Sequence, residues 1–250
     1  MSEMWPRIEM ELQLLIEPQI SPYCGPLFFA RSLVSAAGDN VIANGSFGLV
    51  NTGKKKLLVT CRHVWEGYQT ERQKDSSLRM CICLDRGNPV GFDKREPSDQ
   101  DASLDIVTFD MAPFLAACVG CRFYSLHQNP PPRVVKGNRI VLKGYQGIFR
   151  LATADSLGFG STTYSIKVSD VSGMRLVASL FKTKQKFLMS PIRKSGPETN
   201  HHGGISGSPC FLVEKSRPPR LVGIVTEYGQ DSLWFTHVGC LNPDGTINKP

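Results

Sequence analysis

From residue 41 onward the chain is a succession of short apolar runs, each stopped within a few residues by Gly, Pro, Asn or Asp. The runs at 41–43, 45–50, 56–60, 79–84, 105–109, 139–142, 149–154, 163–168, 174–179, 209–213, 221–226 and 233–237 have strand length. Asn51-Thr52-Gly53 reads as a hairpin turn between two of them. Gly and Pro number 23 and 17 in 250 residues, which favours turns over long helices. Residues 113–119 leave room for about one helical turn. Many short strands at close spacing predict an all-β chain built as a barrel or sandwich.

Composition narrows the class further. The hydrophobic fraction is 41% and the charged fraction 20%, ordinary values for a soluble globular protein. A net charge of +7 favours contact with anionic partners, yet Lys and Arg are scattered, and the one dense run is Lys54-Lys55-Lys56 at a predicted hairpin tip. Charge alone is therefore a weak case for nucleic acid, which is not expected as a partner. Near the N-terminus, the longest apolar run, Leu14-Leu15-Ile16, is too short for a secretory leader, and Glu3, Glu9, Glu11 and Glu17 surround it. No stretch has the 18 apolar residues of a membrane span, and no membrane partner is expected. The expected location is cytoplasmic, with the eight cysteines reduced.

Cys81-Ile82-Cys83 and Cys118-Val119-Gly120-Cys121 have spacings found in structural zinc sites. The simpler reading is thiols on neighbouring strands, since Cys81 and Cys83 alternate with Met80, Ile82 and Leu84. No metal and no cofactor are expected.

Residues 1–35, broken by Pro18, Pro22 and Pro26, read as an N-terminal extension. Asn129-Pro130-Pro131-Pro132-Arg133 is the clearest boundary, because three prolines remove backbone donors and hold the chain extended. It separates residues 36–128 from residues 134–250, each with room for about six strands. Residues 182–202 are polar and read as a long loop.

That loop leads into Gly203-Gly204-Ile205-Ser206-Gly207-Ser208-Pro209-Cys210, where two serines share one glycine-flanked turn. Glycines permit a turn that aims the N–H groups of Gly204 and Ser206 at one oxygen. A serine hydroxyl there needs a base. Of the five histidines, His63 follows the run 57–61, with Arg62 between, and is the best placed base. His127 reads as a surface residue, His201 and His202 adjoin the serine too closely, and His237 reads as a half-buried polar group. A carboxylate must orient the base, and Asp105 stands among apolar residues where its charge requires hydrogen bonds. Asp99, Asp101 and Asp110 read as turn residues.

The segments LLVTCRHVW, SLDIVTFDM, HHGGISGSPCFL and LVGIVTEYG resemble the four landmark segments of the chymotrypsin-like (trypsin-like) serine peptidases, in that family's His–Asp–Ser order. The likeness spans residues 42–240. Two departures stand out: Cys61 replaces a small alanine before the histidine, and Ile205 replaces the Asp or Asn that precedes the serine. In zymogen-activated members that residue pairs with a freed N-terminus, which Ile205 cannot do. The resemblance implies two six-stranded antiparallel β-barrels, 36–128 and 134–250, with the site in the cleft between them. It implies His63 as general base, Asp105 as its orienting anion, Ser206 as nucleophile, and Gly204 and Ser206 as oxyanion donors. It implies peptide hydrolysis of a polypeptide substrate, in an intracellular or bacterial branch, with Asn200, Thr226, Glu227 and Tyr228 around the substrate pocket.

Two other readings compete. The α/β-hydrolase elbow G-x-S-x-G is nearly matched, with Asp231 and His237 as partners, but those two lie on one hairpin and no strand–helix alternation precedes the serine. A peptidase-like fold serving as a binding or scaffold module is the second.

Overall fold

A computed structural model describes residues 14–31, 41–84, 89–92, 95–118, 121–147, 150–152, 157–179, 204–229 and 232–249. Residues 14–20 form helix α1. The first half then runs through β1 (Cys24–Ala30), β2 (Val41–Asn51), β3 (Lys56–Cys61), helix α2 (Arg62–Lys74), β4 (Arg79–Ile82), β5 (Val90–Gly91), β6 (Asp99–Asp101), β7 (Ile106–Asp110) and β8 (Tyr124–Ser125). The second half comprises β9 (Arg139–Gly144), β10 (Arg150–Ala152), β11 (Leu157–Phe159), β12 (Thr162–Ser172), β13 (Arg175–Ser179), β14 (Pro209–Leu212), β15 (Arg220–Tyr228) and β16 (Ser232–His237).

The chain is mostly β, and its second half closes as a six-stranded barrel in the order β12-β13-β16-β15-β14-β9. The first half differs from the expected second barrel. Its strands form an eight-stranded sheet in the order β5-β4-β1-β2-β3-β7-β6, with β8 pairing β2 in parallel, and this sheet is not closed among the described residues. The two strands at its ends explain why: β5 is two residues long and β6 three. Neither offers a ladder long enough to join the edges.

Two further elements were not expected. Cys24–Ala30, inside the stretch read as an extension, is the interior strand β1, paired with β2 and β4 and buried throughout. Gly25 and Pro26 disguise it as a turn. Helix α2 follows β3 where the run of apolar residues ends and no helix is expected. Trp65 and Tyr68, three residues apart, are its two buried positions and pack against Phe109 and Phe29 respectively, so tertiary contacts override a weak apolar stripe interrupted by Gly67.

Two apolar cores fill the halves. One joins Phe47, Leu58, Trp65, Met80, Phe92 and Phe109 in the first half. The other joins Leu142, Ile166, Ile205, Val222, Val225 and Phe235 inside the barrel. A third cluster welds them together: Val59 and Ile106 of the first sheet meet Val141, Phe211 and Ile224 of the barrel, and Ile16 and Ile20 of α1 insert between. Burial across this seam holds the two halves in one relative position, and the site lies along it. None of the eight cysteines, all among the described residues, forms a disulfide. Cys81 and Cys83 pack in a different cluster from Cys118 and Cys121, so the two cysteine pairs do not converge. Among the described residues no helix is long and apolar enough to cross a membrane.

Candidate active site

His63 is the second residue of α2, immediately beyond the buried end of β3. The helix begins without a side-chain cap of its own from Cys61. Asp105 supplies what is missing. Its backbone carbonyl accepts the Arg62 N–H at 3.1 Å, and its Oδ1 accepts the His63 N–H at 2.9 Å. Its other oxygen, Oδ2, lies 2.6 Å from His63 Nδ1. The carboxylate therefore fixes both the backbone and the ring of His63, and a negative charge at a helix N-terminus is favourable in itself.

The chain pays locally for this geometry at Asp105, whose φ of 52° lies in the left-handed region. The residue sits one position before β7 rather than in it, at the end of a turn tied down from two sides. Asp101 Oδ1 accepts the Leu104 N–H at 2.8 Å, and Thr236 Oγ1 from the barrel donates to the Leu104 carbonyl at 2.6 Å. His63 and Asp105 remain 49% and 27% exposed at their side chains, so the outer face of the ring is open to a substrate.

The serine loop is built just as tightly. Gly204 has φ +99° and Gly207 φ +90°, conformations that L side chains rarely adopt. A Cβ on Gly207 would stand 1.9 Å from the Ser46 carbonyl oxygen, which is why the loop can lie flat against β2. The Ser46 N–H donates to the Ser206 carbonyl, the Ser208 N–H to the Ile205 carbonyl and the Gly207 N–H to the Val225 carbonyl, at 2.8, 3.0 and 2.8 Å. Ser206 is half-buried, whereas Ser208 is fully buried with its hydroxyl unpartnered. The two serines are thus unequal: a reagent can reach only Ser206. Among the described residues the amides of Gly204 and Ser206 donate to no protein acceptor, leaving both for an incoming oxygen.

Cys61 lies directly behind the pair. Its thiol is fully buried and donates to the Val225 carbonyl at 2.8 Å, and burial, reinforced by the Asp105 charge, pushes its pKa well above the ordinary thiol value. Cys61, His63 and Asp105 place one ligand atom each within 4.8 Å of one another. Both carboxylate oxygens are already engaged by His63, and the thiol is held protonated, so the donor set suits a hydrogen-bonded pair better than a cation.

The remaining residues singled out from sequence divide. Thr226 is buried at a β-bulge of β15 and its Oγ1 donates to the Trp234 carbonyl at 3.3 Å, while Glu227 is exposed and Tyr228 half-buried on the following positions. Asn200, His201, His202 and Asp231 lie outside the described residues. His127 is exposed. His237 is half-buried, with its Nε2 3.3 Å from the Pro132 carbonyl and its Nδ1 accepting the Gly239 N–H at 3.1 Å. It clamps the proline-rich linker, far from any serine chemistry in role. Ser46 and Asn44, neither of them marked in the sequence, also reach the serine loop; a polar alternation within an apolar strand was the available signal.

No protein-family model matches the chain, and no curated protein sequence matches it. Solved structures do. The structure of Deg5 is similar over 92% of this chain and 90% of that one, at 12% identity and a TM-score of 0.54. A thermostable serine protease, AL20, from an extremophilic microorganism covers 87% of this chain and 91% of that one, at 13% identity and a TM-score of 0.48. At such identities the likeness to Deg5 is one of fold, and it supports the chymotrypsin-like fold for this chain.

Proposed function

We propose that the chain is a serine endopeptidase, trypsin-like in mechanism, that cleaves polypeptides through an acyl-enzyme on Ser206. The observation that carries the reading is the doubly anchored pair: one Asp105 carboxylate holds both the backbone N–H and the Nδ1 of an exposed His63. An imidazole fixed in that tautomer leaves Nε2 as the basic nitrogen.

In this mechanism His63 Nε2 takes the Ser206 hydroxyl proton as Oγ attacks the scissile carbonyl carbon. The carbonyl π electrons move to oxygen, and that oxyanion is met by the N–H groups of Gly204 and Ser206. Collapse breaks the C–N bond, and the imidazolium returns its proton to the leaving amine. Water, deprotonated by the same nitrogen, then hydrolyses the ester and restores Ser206. No metal or cofactor enters any step. Thr226, Glu227 and Tyr228, with Asn200, would border the substrate side chain. The halves 36–128 and 134–250 would act as the two walls of the cleft, with 129–133 as the crossing linker. A cytoplasmic, intracellular or bacterial-type branch suits the reduced cysteines.

The test is cleavage of a diverse peptide library by wild type and by His63→Ala. Loss of a triad member predicts a fall on the order of 10⁶-fold in kcat. Equal cleavage by both proteins would sink the mechanism, and peptide binding without cleavage would favour a binding module on the same fold.

A further inference from the structure

Ser46 lies inside β2, on the first sheet, with none of its surface exposed. Its hydroxyl nevertheless bonds only to the other half of the molecule among the described residues. Its Oγ donates to the Gly204 carbonyl at 2.7 Å and accepts the Tyr145 N–H at 3.1 Å. Its backbone N–H donates to the Ser206 carbonyl at 2.8 Å, and its own carbonyl accepts the Thr60 hydroxyl at 2.8 Å. Asn44, two residues earlier on the same strand face, adds a bond from Nδ2 to the Tyr145 carbonyl at 2.6 Å.

The geometry points to Ser46 as the positioning residue that sets the oxyanion donors, an inference that rests on the peptidase reading above. The carbonyls of Gly204, Ile205 and Ser206 are held by the Ser46 hydroxyl, the Ser208 N–H and the Ser46 N–H respectively. A peptide group is planar, so holding each carbonyl also fixes the N–H on the opposite side of that plane. The Ile205 carbonyl thereby sets the Ser206 N–H. The Gly204 carbonyl shares its plane with the Ile205 N–H, so the Ser46 hydroxyl acts on the donors through ψ at Gly204, a torsion between the Gly204 N–H and the Ser206 N–H, where no side chain restrains the backbone and φ is +99°. Two of the three clamps are backbone groups that any residue at 46 would keep. The third is the hydroxyl, and among the described residues it is the bond that holds the Gly204 carbonyl.

Ser46→Ala removes that bond and leaves Tyr145 N–H without its acceptor. The torsion ψ at Gly204 is then unrestrained, and the Gly204 N–H loses its fixed direction relative to the Ser206 N–H, so the two no longer converge on the charged intermediate. Neutral substrate does not need that aim. The effect belongs in kcat rather than KM.

The experiment uses the full chain as wild type, Ser46→Ala, Ser46→Thr and Val50→Ala, the last a control that weakens the same strand without touching the loop. It measures kcat and KM on a cleaved library peptide, inhibition by the matching peptidyl trifluoromethyl ketone, and folded fraction by circular dichroism. Ser46→Ala is expected to lose roughly 10- to 100-fold in kcat, less than the roughly 10²–10³ for outright loss of one oxyanion donor. KM should stay within about threefold, and the ketone should bind more weakly by the same factor as kcat falls. Ser46→Thr, which keeps a hydroxyl, should recover most of the loss. If Ser46→Ala does not fold, the nearly isosteric Ser46→Cys takes its place. The inference is overturned by unchanged kcat, by a kcat loss with unchanged ketone affinity, or by an equal kcat loss in Val50→Ala. A folded wild type that cleaves nothing removes the peptidase reading and this inference with it, whereas an active wild type with an unaffected Ser46→Ala removes this inference alone.

Discussion

Ile205 immediately precedes the candidate nucleophile, at the position where the resembled family carries Asp or Asn, and here it is 1% exposed within the barrel core. Its side chain packs directly on Gly144. The loop is therefore anchored by apolar burial, and Ile205→Asp should damage it. Deleting the buried aliphatic side chain costs about 2–5 kcal/mol as a cavity. A carboxylate placed there without a partner costs several kcal/mol more as a charge, or it stays protonated with a raised pKa. Together these reach at least about 5 kcal/mol at neutral pH, comparable with the whole stability of a typical domain at about 5–15 kcal/mol. Ile205→Val, which keeps the packing, should cost only about 0.5–1.5 kcal/mol. Urea unfolding followed by tryptophan fluorescence at pH 7 and pH 5 measures both. The buried acid binds its proton more readily when folded, so the deficit of Ile205→Asp relative to Ile205→Val should shrink as pH falls. If at pH 7 Ile205→Asp lies within about 1 kcal/mol of Ile205→Val, the side chain has found a cation or water, and apolar anchoring of the loop is wrong.

Asp105→Asn keeps a residue tolerant of the left-handed conformation but loses the charge that orients His63, so kcat should fall by about 10⁴-fold with the circular dichroism spectrum unchanged; a loss below tenfold would show that the pair is structural. Burial lowers the His237 pKa below its ordinary 6.5, against the raising influence of its bond to the Pro132 carbonyl. The unfolded chain therefore takes up that proton more readily, and stability drops as pH falls through about 6.5, levelling off below the folded pKa. His237→Gln should flatten this segment of the curve measured by urea unfolding from pH 7.5 to 5, and an unaltered slope would assign it to other groups.

How much of this was legible in the chain depends on where each element draws its stability. The barrel strands announced themselves, since runs such as 221–226 and 233–237 carry their apolar residues where a closed core needs them. The open first sheet did not, because closure depends on edge strands, and β6 is Asp-Gln-Asp, a sequence with no apolar signature at all. Helix α2 was hidden for a related reason: it is made by two aromatic anchors that pack on distant strands and by Asp105, 42 residues away, which accepts its first N–H groups, and neither is a local signal. His63, Asp105 and Ser206 could be proposed as a set from ordered motifs, and the fold joins His63 to Asp105. That Asp105 adopts a positive φ and caps the helix bearing His63 could not, since both follow from contacts across the sheet. The choice between Ser206 and Ser208 became physical only with burial, which hides the Ser208 hydroxyl completely. Ser46 was invisible because its partners, Gly204 and Tyr145, are distant in sequence and offer backbone atoms that no side-chain pattern records.

Reaction with a fluorophosphonate, read by mass spectrometry of the labelled peptide, tests the assignment of Ser206 most directly. The account predicts one phosphonate on Ser206 in the folded wild type, none in Ser206→Ala, retention in Ser208→Ala and strong slowing in His63→Ala. An adduct on Ser208, or a folded wild type that takes up no phosphonate, would contradict it.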